Sequence, residues 1–191
     1  MSRKWLIFIA IVIATFALDQ STKYWVFNNI DYRFGSIDVI PGFFELVHAQ
    51  NPGALAGFLK NFEYRHYVFL SFTVFALGIV LQMVRELKPD DTFLPVTLSL
   101  IAGGALGNAW DRIDKGTVTD FLRVYTENET IAPLLRSWTG ASEWPSFNVA
   151  DMALVIGVGL FLFHYLFLEE PEGGTESDST PSGADSRATA G

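Results

Sequence analysis

Four long apolar stretches constrain the fold more than any other feature of this 191-residue sequence. They cover about residues 5–26, 67–84, 93–109 and 148–168. About 20 consecutive apolar residues are enough for a helix to cross the hydrocarbon core of a bilayer, and lipid-exposed backbone must form helices or closed barrels. The stretches are continuously apolar rather than alternating, which favours helices over barrel strands. The sequence therefore predicts an all-α membrane bundle of four transmembrane helices.

The first stretch has a second interpretation. Arg3 and Lys4 precede an apolar core, as they do in a cleavable signal peptide. The stretch is long for the apolar region of a signal peptide, however, and no small-residue cleavage site follows it cleanly. We therefore interpret it as the first span, with a cleaved signal peptide as the open alternative.

The positions of Lys and Arg bear on the topology. Arg3 and Lys4 flank the first helix, and Arg85 and Lys88 lie in the short loop between the second and third helices. The positive-inside rule then predicts that both termini are cytoplasmic. Eight other Lys and Arg residues, seven in the two longer connections and Lys23 at the outer end of the first helix, argue the other way, but the first helix usually dominates orientation.

The two longer connections, about residues 27–66 and 110–147, then face the outer side of the membrane. In the first connection, apolar residues alternate on both sides of the Pro41-Gly42 turn, which predicts short strands. The second is expected to be an outer loop, and its Tyr and Trp residues suit the headgroup zone. It could form a lid or an interfacial helix.

Composition limits the chemistry and marks one segment as different. The chain has no Cys, which excludes disulfides, thiol nucleophiles and Cys-ligated metals. Residues 169–191 carry six Asp and Glu against one Arg, a net charge of −5 within the total of −8. This segment is rich in Gly, Ser, Thr and Pro and has no large apolar residue, so we expect a disordered acidic tail.

Polar and ionisable residues cluster at the predicted outer ends of the spans. Charged groups are costly at membrane depth, so such a cluster is a site hypothesis by default. Asp19 and Lys23 are four residues apart and should share one face of the first helix. The full set is Asp19, Lys23, Asn108, Asp111, Arg112, Asp120, Asn148 and Asp151.

Asp120 and Asp151 are the candidate catalytic pair. Asp120 lies in the second outer connection and Asp151 directly after it, at the start of the fourth span, and each lies beside an apolar flank. Two adjacent carboxylates cannot both ionise cheaply, so one keeps a proton while the other acts as a base. Such a pair can activate water and then protonate the leaving nitrogen of an amide. By spacing alone, Asp151 is equally well explained as a carboxylate at a helix N-terminus that Asn148 caps.

Other catalytic classes fit the sequence less well. Ser21 and Lys23 could suggest a Ser–Lys hydrolase, but residues two apart on a helix do not face each other. The three His residues lack metal-ligand spacing, and the chain has no P-loop or dinucleotide fingerprint. Gly103 and Gly107 form a GxxxG pattern that predicts close helix packing.

A proton-coupled carrier is the main non-enzymatic alternative. It would use Asp19, Asp120 and Asp151 as relay groups. Carriers commonly show internal repeats and broken helices near the midplane. The sequence shows neither feature, and its carboxylates collect at one surface.

Five motifs appear in a specific order along the chain. They are DQSTK (residues 19–23), QNPGALAGF (50–58), GGALGNAWDR (103–112), GTVTDF (116–121) and FNVAD (147–151). With these motifs on four spans, the chain resembles the bacterial lipoprotein signal peptidases, or signal peptidase II. The resemblance covers about residues 1–168.

The resemblance implies an aspartyl endopeptidase of the bacterial inner membrane with its active site near the outer face. The implied reaction removes the signal peptide of diacylglyceryl-modified prolipoproteins, before the lipidated cysteine. Asp120 and Asp151 fall on the positions of the catalytic dyad. The implied partners are these precursors and membrane lipids, with no nucleic acid, no metal and no cofactor, and the protein is expected to be a monomer.

The resemblance also implies supporting residues and surrounding elements. A small extracytoplasmic β-cradle is expected within about residues 31–60, with a periplasmic helix or lid over the site. The motif positions tied to structure or substrate placement are Asp19, Lys23, Asn51, Gly53, Gly104, Gly107, Asn108, Asp111, Arg112, Asn148 and Ala150. Asp114 and Lys115 are expected to be solvated turn residues.

The sequence departs from the family pattern in two places. Ala56 stands where the family has an aromatic residue, and the connection over residues 121–147 is longer than usual. A homologue that binds precursors without cutting them is the third alternative. The intact pair of aspartates argues against it.

Overall fold

The computed structural model describes residues 1–53, 64–126, 128, 132–140 and 143–168. The α-helices in these ranges are α1 (Arg3–Asn29), α2 (Arg65–Glu86), α3 (Phe93–Lys115), α4 (Ala132–Thr139) and α5 (Val149–Phe163). Helix α5 continues as a π-helical turn, His164–Leu168. The strands are β1 (Ser36–Ile40), β2 (Phe44–Asn51) and β3 (Val118–Val124). Ala56 and the acidic tail lie outside the described residues.

Four helices in the described part of the chain are long and apolar enough to cross a membrane, as the sequence predicts. They are Arg3–Asn29, His66–Glu86, Phe93–Lys115 and Val149–Leu168. The third is longer than expected, because the helix continues through the charged residues to Lys115 and ends at Gly116 in the left-handed conformation (φ 72°). The expectation that Asp114 and Lys115 are turn residues is therefore wrong, since both belong to the last turn of α3.

Helix α3 is the central helix of the bundle, and its glycines let α1 and α5 approach closely. A Cβ at Gly103 would lie 2.7 Å from Thr15 Cβ of α1, and one at Gly107 would lie 3.2 Å from Ala150 Cβ of α5. Gly104 would meet the backbone oxygen of Ala150. The predicted packing role of Gly103 and Gly107 is confirmed.

The membrane end away from the charged cluster holds an apolar core with one buried cation. Phe8, Val84 and Leu98 are among the buried residues that pack there. The Lys4 ammonium, only 6% exposed, donates to the backbone oxygens of Arg85 at 2.7 Å and Leu87 at 2.6 Å. It satisfies carbonyls that the C-terminus of α2 would otherwise leave unpaired, and so joins the beginning of α1 to the end of α2.

A three-stranded antiparallel sheet in the order β1-β2-β3 lies next to the other end of the bundle. Strands β1 and β2 come from the first outer connection, where short strands are predicted. Strand β3 belongs to the second connection, which the sequence analysis expects to be a loop, lid or helix. Its pairing with β2 places Ala49 opposite Asp120 and Asn51 opposite Val118.

Phe147 fixes the point at which the second connection returns to the bundle. Its backbone oxygen accepts hydrogen bonds from the backbone nitrogens of Phe121 at 3.0 Å and Leu122 at 2.8 Å. Phe147 N in turn donates to Leu122 O at 3.1 Å. Because α5 begins two residues later, its N-terminus lies directly beside Asp120 of β3. Helix α4 lies within this connection, between β3 and Phe147.

Two glycines of α5 provide a matched test of the packing between α3 and α5. A Cβ at Gly157 would lie 2.7 Å from Ile101 Cγ1 and 3.0 Å from Thr97 O, whereas a Cβ at Gly159 meets nothing within 4 Å. We expect Gly157→Ala to lower the free energy of unfolding by about 1–3 kcal/mol through overpacking. Gly159→Ala should raise it by roughly 0.5–1 kcal/mol, because glycine costs helix stability. Thermal unfolding in detergent measures both, and equal effects would contradict the packing.

Candidate active site

Asp120 lies on β3 with both carboxylate oxygens bonded to side-chain amides. Asn148 Nδ2 donates to Oδ1 at 2.8 Å, and Asn51 Nδ2 donates to Oδ2 at 3.0 Å. The Asn51 amide is itself oriented, since its Oδ1 accepts the backbone N–H of Gly53 at 2.9 Å. Only 3% of the Asp120 surface is exposed. The carboxylate is therefore fixed in direction and largely removed from water.

The pKa of the Asp120 carboxyl is raised to about 6, chiefly by burial and to a smaller extent by the nearby charge of Asp151. The hydrogen bonds from Asn51 and Asn148 and the charge of Lys23 oppose this shift, but burial is the largest effect. A carboxylic acid with this pKa can gain or lose a proton near neutral pH. Acid–base catalysis requires that property.

Asp151 occupies the first turn of α5 in a reciprocal capping box with Asn148. Asp151 Oδ2 accepts the backbone N–H of Asn148 at 3.1 Å, and Asn148 Oδ1 accepts that of Asp151 at 2.9 Å. Asp151 Oδ1 accepts a hydrogen bond from Asn108 Nδ2 at 2.7 Å. The helix-capping role proposed from the sequence is thus present, and it coexists with proximity to Asp120.

Asn148 is the one residue that contacts both aspartates among the described hydrogen bonds. Its side-chain amide donates to Asp120, and its backbone N–H donates to Asp151. The side chain is fully buried and also donates to Asn108 Oδ1 at 3.2 Å. The two carboxylates therefore both contact a single residue.

The Lys23 ammonium lies beneath the pair, with three oxygen acceptors around it. Asp19 Oδ2 lies 2.8 Å from Nζ, Asn108 Oδ1 lies at 3.0 Å, and Asp111 Oδ2 lies at 3.2 Å. Lys23 is 1% exposed, and Asp19 and Asp111 are fully buried. The predicted pairing of Asp19 with Lys23 on one helix face is confirmed. Ser21 instead donates to Leu18 O from an exposed position, which is incompatible with a Ser–Lys hydrolase.

The two carboxylates that contact Lys23 also bind backbone amides of neighbouring elements. Asp19 Oδ1 accepts the N–H of Ala150 at 2.9 Å, and Asp111 Oδ2 accepts the N–H of Thr119 at 2.9 Å. Ala150 immediately precedes Asp151, and Thr119 immediately precedes Asp120. The only described cation close to Asp111 Oδ1 besides Lys23 is Lys115, whose Nζ lies 3.5 Å away.

Arg112 adds a second cation on the same side of α3. Its guanidinium donates to Asn108 O at 3.1 Å and lies over the ring of Phe69, 5.0 Å from the centroid. It is close enough to Asp151 and Asp120 to interact with their charges. Within the described residues it makes no ion pair with a carboxylate at contact distance. It is thus a cation directed at the carboxylate region without a fixed anionic partner.

The structure joins every predicted site residue into one connected cluster. Gly53 has φ 81°, and a Cβ there would collide with the ring of Phe69, so the turn after β2 requires glycine. Ala150 is fully buried against Gly104 and Gly107, which leaves no room for a larger side chain. The connected set is Asp19, Lys23, Asn51, Gly53, Gly104, Asn108, Asp111, Arg112, Asp120, Asn148, Ala150 and Asp151.

Sequence analysis missed four residues that contact this cluster. Gln20 donates to Asp19 Oδ2 and to the backbone oxygen of Gly107, and Gln50 donates to Thr119 Oγ1. Both glutamines and Thr119 stand inside the quoted motifs, which is the available signal. Phe69 carries no such signal, because it lies outside the motifs and its contact joins segments that are distant in sequence.

An apolar groove of about 420 Å³ borders the site at Asp151. Trp144, Met152, Val155 and Ile156 are among its lining residues. Val155 is 73% exposed and Ile156 50% exposed on the surface of a membrane-spanning segment. The groove therefore leads from the lipid-facing side of α5 to a carboxylate.

These features define a helical membrane protein that holds two interacting carboxylates at one end of its bundle. The family model described as signal peptidase (SPase) II matches residues 11–167. The chain belongs to the signal peptidase II family, and it is therefore an aspartic-type membrane endopeptidase. Four helices able to span a membrane, together with this bacterial family, indicate a protein of the bacterial inner membrane.

Individual relatives and solved structures agree with the family. Lipoprotein signal peptidases of Geobacter sulfurreducens and Geobacter metallireducens are 39% and 36% identical, over 81% and 84% of this chain and 88% and 90% of theirs. A bacterial membrane enzyme solved in meso at 1.9 Å resolution has a TM-score of 0.67 at 29% identity, covering 84% of this chain and 92% of its own. A second, at 2.3 Å resolution, has a TM-score of 0.68 at 27% identity, covering 87% and 93%.

Substitutions at Asn148 separate its two roles. We expect Asn148→Ala to lower the free energy of unfolding by about 1–3 kcal/mol, because it removes the helix cap and the buried amide partner of Asp120. Asn148→Ser keeps an oxygen that can cap the helix and should lose less. Hydrogen exchange of the Asp151 backbone amide reports the cap directly, and it should accelerate in the Ala variant but stay protected in the Ser variant. Equal protection in both would contradict the capping assignment.

Proposed function

We propose that the protein removes the signal peptide from diacylglyceryl-modified prolipoproteins, and that it cuts immediately before the lipidated cysteine. The observation that carries the proposal is that Asn148 contacts both aspartates. Its side-chain amide donates to Asp120, and its backbone N–H donates to Asp151. The relatives named as lipoprotein signal peptidases support the substrate class. Asp120 and Asp151 are the proposed catalytic residues.

The proposed reaction needs one proton shared by the pair and one water molecule. The ionised aspartate removes a proton from water while its oxygen attacks the scissile carbonyl carbon, which forms a tetrahedral intermediate. The protonated aspartate then transfers its proton to the leaving nitrogen as the carbon–nitrogen bond breaks. One proton has been accepted and one donated, so the pair ends the cycle with a single proton. The chemistry uses no metal or other cofactor.

The surrounding polar groups support the pair without taking part in bond changes. Asn51 and Asn108 each donate to one aspartate and fix its orientation. Arg112 faces the same region and is proposed to attract the substrate carbonyl or the charge that develops on its oxygen. Asp19, Lys23, Asp111 and Asn148 complete the support, while Gly53, Gly104 and Ala150 provide the necessary space.

The apolar groove at Asp151 supports a substrate that stays in the membrane. A diacylglyceryl-modified precursor carries acyl chains and an apolar signal peptide, both of which partition into lipid. The groove would admit such a group from the side of α5 and deliver the scissile bond to the carboxylates. We propose that the sheet forms a cradle above it and that α4 acts as a lid.

The orientation and the extent of the catalytic unit are part of the same proposal. Cytoplasmic termini would place the sheet and the aspartate pair near the outer face of the inner membrane, where lipid-modified precursors are exposed. The proposed catalytic unit is residues 1–168, and the acidic tail over residues 169–191 is not required. We propose that the enzyme acts as a monomer.

Isosteric substitutions test the catalytic pair. Asp120→Asn and Asp151→Asn should each lower kcat by about 1,000-fold or more, because each removes one of the two proton-transfer groups. The measurement is a gel-shift assay of purified enzyme on a lipidated precursor, with a non-lipidated precursor as the substrate control. Far-ultraviolet circular dichroism and thermal unfolding verify that the variants fold. Full activity in either folded variant would overturn the assignment of the pair, and equal cleavage of both precursors would overturn the substrate class.

The proton shared by the pair predicts the direction of the pH dependence. Asp120 has a raised pKa of about 6, so the singly protonated pair is lost as the pH rises through this value. We expect kcat/KM of the free enzyme to fall with rising pH there, and we call this falling part of the pH–rate profile the pH limb. Asn51→Ala removes a hydrogen bond that lowers the pKa of Asp120, so this limb should move to higher pH. Rates measured on both sides of the limb provide the test, and a shift to lower pH would contradict it.

A further inference from the structure

Lys23 is connected by hydrogen bonds to both polypeptide segments that carry the proposed catalytic aspartates. We propose that Lys23 is a positioning residue that holds Asp120 and Asp151 in register with each other. The proposal rests on the proposed function and assigns Lys23 a role more specific than general support of the site. It is carried by three separate hydrogen-bonded routes, each of which begins at the same ammonium group.

The first route leads to α5 through Asp19. Lys23 Nζ lies 2.8 Å from Asp19 Oδ2, and the other oxygen of Asp19 accepts the backbone N–H of Ala150 at 2.9 Å. Ala150 is the residue directly before Asp151. The ammonium thereby fixes the carboxylate that holds the first turn of α5.

The second route leads to β3 through Asp111. Lys23 Nζ lies 3.2 Å from Asp111 Oδ2, and this oxygen also accepts the backbone N–H of Thr119 at 2.9 Å. Thr119 is the residue directly before Asp120. The same ammonium therefore reaches the backbone one residue before each aspartate.

The third route decides which way the Asn108 amide faces. Lys23 donates to Asn108 Oδ1 at 3.0 Å, and this leaves Asn108 Nδ2 to donate to Asp151 Oδ1 at 2.7 Å. A flipped amide would place an NH₂ group against an ammonium, which has donors and no acceptor. Lys23 thus keeps the donor side of Asn108 directed at the catalytic carboxylate.

A lysine suits this position because its ammonium has three N–H donors and three oxygens surround it. The side chain is 1% exposed, so bulk solvent has little access to those donors. The charged groups of this cluster that the structure describes lie on four elements. Besides Asp120 on β3 and Asp151 on α5, they are Asp19 and Lys23 on α1 and Asp111, Arg112 and Lys115 on α3, while β2 contributes the neutral amide of Asn51.

A role in folding alone predicts a different outcome from a positioning role. A buried ion pair that serves only stability can often be replaced by neutral groups of similar shape without loss. Neutral replacement would then leave kcat and the pH limb unchanged in any variant that folds. A positioning role predicts that catalysis falls even where the fold is intact, because misplacement by about 1 Å costs about 100-fold in rate.

The test compares Lys23→Met with the double variant Lys23→Met/Asp19→Asn, in which one positive and one negative charge are removed together. Asn at position 19 retains an oxygen acceptor for the Ala150 amide. Each variant should lower kcat on the lipidated precursor by about 10- to 100-fold with KM unchanged. The limb of kcat/KM in Lys23→Met should move to higher pH, because the charge of Lys23 lowers the pKa of Asp120.

Lys4→Met is the matched control. Lys4 is a buried lysine on the same helix that donates to backbone oxygens at the opposite end of the bundle. Its loss should lower the unfolding temperature and leave kcat and the pH limb at their original values.

Two results would overturn the positioning role and leave the proposed function intact. One is a folded Lys23→Met enzyme with the original kcat and pH limb. The other applies if Lys23→Met alone does not fold. The double variant then decides, and either its failure to fold or the original kcat in its folded form overturns the role. The proposed function fails separately, through activity in Asp120→Asn or Asp151→Asn.

Discussion

A buried ammonium group surrounded by carboxylate and amide oxygens is the interaction on which the arrangement of the other elements depends. Removing an ion from water costs several kcal/mol even after the surroundings relax, so a buried cation persists only where its partners are well placed. Lys23 meets that condition with Asp19, Asp111 and Asn108 at 2.8–3.2 Å. Because these partners also hold backbone amides of α5 and β3, the electrostatic requirement of one side chain determines where two distant segments meet.

The second requirement is that a carboxylate remain chemically useful at membrane depth. Asp120 is buried enough for its pKa to rise to about 6, and the hydrogen bonds from two amide donors oppose that rise. Asp151 is held in the first turn of α5 by its capping box with Asn148. Two residues of the same type therefore occupy different environments, one buried on a strand and the other at a helix N-terminus.

The sequence predicts the parts of the fold that are local and fails where a contact joins distant segments. Continuous apolar runs predict the spans, because length and composition alone determine whether a helix can cross lipid. Strand β3 is missed because it pairs with a strand from the other connection, and Asn51 lies 69 positions from Asp120. The same limit hides the roles of Asp19 and Asp111, since no periodicity reports which backbone amide a carboxylate will accept. Residue spacing alone does not decide which polar residues belong to the site. The order of the five motifs indicates a family, and the family resemblance predicts those residues.

The hydrogen bonds between Phe147 and β3 fix the distance between Asp120 and Asp151, whatever the length of the connection that precedes Phe147. The chain leaves β3 after Val124 and is bound back to Phe121 and Leu122 before α5 begins. The position of Asp151 relative to Asp120 therefore depends on the Phe147 contacts rather than on the number of residues between Val124 and Phe147. A connection anchored in this way can vary in length between relatives while the ends that flank the two aspartates stay in place.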